Sequence, residues 1–63
     1  MTLTPREREV LSYVMAGRTA RSSARAMGIS PRTATKHLEN AYRKLGVSNR
    51  VTAVLAAREH GLI

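Results

Sequence analysis

Apolar residues recur at helical spacing along the 63-residue chain, in segments broken by Gly and by Ser or Thr. The first segment opens with "LTPRERE": Thr4 at the N-cap, Pro5 at the first helical position and Glu7 three residues after the cap, a capping box. Val10, Leu11 and Val14 follow as a stripe, and Gly17 closes the helix. A short second helix runs over Ala20–Met27, with Thr19 as cap, Ala24 and Met27 inward and Gly28 at its end. The third starts from Ser30 and Pro31; Ala34, Leu38, Ala41 and Leu45 fall on one buried stripe at about 100° per residue, and Gly46 terminates it. The fourth is expected to take Ser48 as its N-cap. Its core stripe is read as Val51, Val54 and Leu55, with Ala53, Ala56, Ala57 and His60 on the other side and Leu62 and Ile63 folding back as a plug. The expected fold is all-α, with four helices over roughly 5–16, 20–27, 31–45 and 49–60, and residues 1–63 forming a single domain.

Charge placement adds what the periodicity leaves open. The net charge is +7, yet residues 1–17 balance Arg6 and Arg8 against Glu7 and Glu9, and residues 51–63 balance Arg58 against Glu59. The whole excess lies in residues 18–50, where Arg18, Arg21, Arg25, Arg32, Lys36, Arg43, Lys44 and Arg50 face only Glu39. A basic segment between neutral flanks points to a polyanion. The third helix puts Arg32, Lys36, Glu39, Asn40 and Arg43 opposite its apolar stripe, with Thr35 between the two faces and Lys44 off the arc.

Two helices joined by a short Gly-containing break, the second with a basic polar face, describe a helix-turn-helix whose second helix enters the major groove. Lys donates to guanine O6 and N7, long cations reach phosphates, and a helix N-terminus favours a phosphate. Glu39 has two readings: pairing with Lys36 or Arg43 at helical spacing, which comes first, and accepting from cytosine N4.

The segments "LTPREREVL", "GISPRT", "HLENAYRKLGV", "SNR" and "AVLAAREHGLI" resemble, in order and spacing over nearly the whole chain, the LuxR-type (GerE-like) helix-turn-helix domain of bacterial transcription regulators. Nothing in residues 1–17 resembles a signal peptide, so a cytoplasmic protein is expected; the resemblance implies binding of double-stranded DNA as a homodimer, with the third helix in the groove and the fourth at the dimer contact. It places base-edge contacts on Thr35, Lys36 and Glu39. Backbone contacts are expected on Thr33, Arg43, Ser48, Asn49 and Arg50, and on Arg32 because it follows the N-cap; the small-residue face of the fourth helix, Ala53, Ala56 and Ala57 with His60, is the expected dimer contact. His37 is expected to be packed rather than to touch a base. Relatives join this domain to a receiver or ligand-binding domain, so the chain is either a stand-alone effector or a fragment.

Two departures stand out. Ser22 and Ser23 take the place of the family's Glu and Ile, and Ala34 and Thr35 that of Val and Lys, with the lysine one residue later at Lys36. Serine for isoleucine at a packed site costs on the order of 2–4 kcal/mol if uncompensated. Met27 or a rotated second helix is therefore expected to fill the gap, or stability to be low.

A sigma-factor region-4 domain, which touches promoter DNA and RNA polymerase, shares "LTPRERE"; the full fourth helix after "AYRKLGVSNR" favours the LuxR type. A helix-turn-helix fold used only for protein interaction is the remaining alternative. Enzyme chemistry is not expected: the chain has no Asp and no Cys, and His37 and His60 fall on different helices. No cofactor or metal is expected, and no apolar run approaches the ~18 residues of a membrane span.

Overall fold

The computed structural model describes residues 2–61. Among them the chain forms four helices and no strand: α1 (Pro5–Met15), α2 (Ala20–Met27), α3 (Pro31–Leu45) and α4 (Arg50–Glu59). The expected plug of Leu62 and Ile63 lies outside the described residues.

Short polar side chains start every helix. The Thr4 hydroxyl accepts from the Glu7 N–H at 3.1 Å, and the Glu7 carboxylate accepts from the Thr4 N–H at 3.0 Å, which completes the capping box. Thr19 and Ser30 cap α2 and α3 in the same manner. The cap of α4 is Asn49, not Ser48: its carboxamide oxygen accepts from the Thr52 N–H at 3.0 Å, and the helix begins at Arg50. The glycines on either side of α3, Gly28 (φ 71°) and Gly46 (φ 72°), are in the left-handed region. There the next residue folds back: the Ile29 N–H donates to the Ala24 carbonyl and the Val47 N–H to the Tyr42 carbonyl. Only glycine adopts this turn without steric cost.

The core has two lobes that share Leu38. Val10, Ala24, Met27 and Ala34 join α1, α2 and α3, with Tyr13 and Ile29 at the margin. Leu3, Leu11, Ala41 and Ala57 join α1, α3 and α4, with Met15, Tyr42 and Leu45 against them. Neighbouring α1 residues Val10 and Leu11 thus point into different lobes.

Of the core stripe expected in α4, Val54 is half-buried and Val51 and Leu55 lie outside. Ala53, Ala56 and Ala57 are buried, whereas Val51 is 70% and Leu55 56% exposed. Both stripes have helical spacing. The small one packs inward, and Val51 and Leu55 are left outside. The alanines expected at a dimer contact are therefore consumed within the chain, and only His60 of that set is exposed.

Ser23 carries the expected gap without strain. It is completely buried, and its hydroxyl donates to the Thr19 carbonyl one turn earlier at 2.8 Å. No buried side-chain N or O atom among the described residues lacks a partner. Met27 is buried in the lobe that joins α1, α2 and α3.

Two long polar ties fix the helices to each other. The Lys44 ammonium of α3 donates to the Glu7 carboxylate of α1 at 2.7 Å. Nη2 of Arg50, at the start of α4, donates to the carbonyls of Val14 (2.9 Å) and Arg18 (2.8 Å), joining α4 to the α1–α2 corner. At that corner the Arg18 guanidinium lies over the Tyr13 ring at 5.3 Å and donates to Ser22. No described helix is long and apolar enough to cross a membrane.

Candidate nucleic-acid interface

With Ala34 and Ala41 in the core, α3 turns its other side outward. Arg32, Thr35, Lys36 and Glu39 are exposed there and line one open depression. Three of the four come from the set expected to meet DNA along this helix through base edges (Thr35, Lys36, Glu39), and Arg32 from the backbone set. Arg43 is exposed one turn beyond Glu39, its Nη2 donating to the Asn40 side-chain oxygen at 2.9 Å. At the N-terminal end, the Ser30 hydroxyl accepts from the Thr33 N–H and donates to the Thr33 hydroxyl at 2.9 Å, so both are held in the cap.

The expected pairing of Glu39 is not formed. Arg6–Glu9 and Lys44–Glu7 are the ion pairs among the described residues. Asn40 holds Arg43 and Glu7 holds Lys44, so the Glu39 carboxylate stands without a cation partner beside Lys36.

After α3, the Asn49 side-chain oxygen caps α4 and Nη2 of Arg50 donates to two carbonyls of the α1–α2 corner, while both residues remain exposed. Ser48 is exposed. His37 is half-buried on the flank of α3.

Arg21 and Arg25 belong to the charge excess, and the sequence assigns them no contact. Both are exposed on α2 and, with Ala24, Ile29 and Pro31, line a groove at the start of α3. Their spacing of one helical turn is the signal that identifies them as a pair. Exposed basic residues are therefore found on α2 as well as on the outer face of α3. A wider depression on α1, lined by Leu3, Pro5, Arg8, Glu9 and Ser12, balances its arginine with a glutamate and carries none of the excess.

One side-chain ionisation is clearly perturbed. The hydrogen bond from Lys44, followed by that from the Thr4 N–H, holds the Glu7 carboxyl below its ordinary range against an opposing push from burial. No cluster of His or carboxylate side chains among the described residues has the makings of a metal site.

Residues 1–57 match the GerE family model, bacterial regulatory proteins of the luxR family. The transcriptional activator protein BjaR1 of Bradyrhizobium diazoefficiens is 48% identical over 61 residues, which is 97% of this chain and 25% of BjaR1. The response regulator ChrA of a heme-sensing two-component system superposes with a TM-score of 0.92 at 41% identity, covering 100% of this chain and 31% of ChrA. The transcription factor GerE superposes with a TM-score of 0.85 at 32% identity, covering 98% of this chain and 94% of GerE. The chain thus spans about a quarter of BjaR1's length and nearly all of GerE's. The family match also separates it from the sigma-factor alternative. By sequence and by fold, the chain belongs to the luxR family of bacterial regulatory proteins.

Proposed function

We propose that residues 1–63 form one sequence-specific double-stranded DNA-binding domain of a transcription regulator, with α3 in the major groove. The observation that carries this reading is the outer face of α3, where Arg32, Thr35, Lys36 and Glu39 surround one open depression at the centre of the chain's charge excess. Thr35, Lys36 and Glu39 meet base edges. Arg32, Thr33 and Arg43 meet the backbone, and Arg21 and Arg25 extend that contact as the first helix of the motif crosses the phosphates.

A second copy joins on DNA through α4, at Val51 and Leu55 rather than at the alanines. Two large apolar side chains one turn apart and more than half exposed support this placement. A dimer reads two half-sites about 10 base pairs apart, one helical turn of DNA.

Fluorescence anisotropy on labelled duplexes, titrated with salt, tests the proposal. Contacts to several phosphates make log K fall steeply and linearly with log salt. A flat salt response, or no binding to any duplex at low salt, refutes DNA binding and leaves a protein-interaction module.

A further inference from the structure

Resting on the groove reading above, we infer that Glu39 determines sequence specificity by selecting a cytosine on the strand that α3 reads. Glu39 is the one acid of the basic segment 18–50. It lies about two turns into α3, between Lys36 and Arg43 at helical spacing. Neither cation pairs with it: Arg43 is turned to Asn40, Lys36 stands open beside it, and Lys44 is drawn to Glu7. The carboxylate is therefore exposed and free to accept on the face that meets a polyanion.

A carboxylate there is repelled by every phosphate, so it subtracts from sequence-independent affinity. It gains only from a donor, and an ionised carboxylate accepts without donating. The major groove offers two base donors, adenine N6 and cytosine N4. The adenine amino group lies between two acceptors, its own N7 and the O4 of the paired thymine. The cytosine amino group has an acceptor on one side only, the paired guanine O6, and an apolar C–H on the other. A carboxylate therefore meets less repulsion at cytosine. Lys36, one turn earlier on the same face, has the opposite preference and donates to guanine O6 and N7. Adjacent acid and base on one helix face thus read cytosine and guanine at neighbouring positions.

The test is selection from a random duplex pool by the 63-residue chain, alongside Glu39→Ala and Glu39→Gln. The chain should enrich a motif with one position fixed as cytosine, and replacing that base should weaken binding about tenfold. Glu39→Ala should lose preference at that position alone and bind random duplex severalfold more tightly. Glu39→Gln should move the preference there to adenine, since a carboxamide pairs with N6 and N7 together. An unchanged motif in Glu39→Ala, an equal loss at all positions, or a changed position that held another base overturns the inference while leaving the groove reading intact. A chain that enriches no motif overturns the groove reading itself, a failure visible before any variant is compared.

Discussion

Replacing Glu7 by Gln is the most direct test of how α1 is held to α3. The Glu7 carboxylate is 4% exposed and accepts from the Thr4 N–H at 3.0 Å and from Lys44 at 2.7 Å. Glutamine keeps the shape and an oxygen for Thr4, so the cap survives and only the charged tie is lost. A fully buried pair broken on one side costs about 3–5 kcal/mol. Here the Lys44 side chain is 32% exposed and regains water when released. The expected loss is therefore about 1–2 kcal/mol, or about 5–15 °C in Tm for a domain of this size. The effect must depend on pH. A carboxylate whose pKa is lowered by folding stabilises the fold fully above its unfolded range, and that contribution is lost as pH falls from there through the lower folded value. Thermal unfolding followed by circular dichroism should show the full gap between the two proteins at pH 7. The gap should narrow as pH falls below the ordinary carboxylate range and on through the lowered folded value, where Glu7 becomes a neutral near-isostere of glutamine. Lys44→Met should cost more than Glu7→Gln at pH 7, because it strands a buried carboxylate. A gap that is absent at pH 7, or undiminished in acid, refutes the role given to this pair.

Arg50→Ala should remove two charge-assisted hydrogen bonds and cost about 1–3 kcal/mol, read by denaturant unfolding, with hydrogen exchange accelerated first at the α1–α2 corner. Leu55→Gln should leave Tm nearly unchanged and abolish cooperative binding to a duplex with two half-sites. Ala57→Glu should instead impair folding, because position 57 is completely buried; the two variants separate the outer and inner faces of α4. Arg43→Ala should weaken all duplexes alike and lower the salt slope by about one, whereas Lys36→Ala should relax base preference at one or two positions; equal, sequence-independent losses would reassign Lys36 to a phosphate.

The sequence by itself determined the helices and the character of their outer surface. Both follow from near neighbours: a cap needs an acceptor within three residues, a left-handed turn needs glycine, and an amphipathic stripe repeats every turn. Thr4, Thr19, Ser30, Gly28 and Gly46 are therefore legible, as is the inward stripe of α3. The charge excess of residues 18–50 marked the α2–α3 surface because α3 has one apolar face and its cations have nowhere else to lie. Tertiary structure decided the rest. The stripes of α4 are both periodic, and only the way α4 docks on the rest of the chain chooses the alanines over Val51 and Leu55. Ser23 looked like a missing apolar residue, and a hydrogen bond to Thr19 within the packed lobe makes it an ordinary buried group. Arg50 looked like a phosphate contact, and two carbonyls brought close only by folding take up its Nη2. Glu39 looked paired with Lys36 or Arg43, and in the fold Arg43 is turned to Asn40 while Lys36 stands open beside the carboxylate. Local propensity and spacing fix what each helix is, whereas long-range packing fixes which face is free and which charge is left to bind.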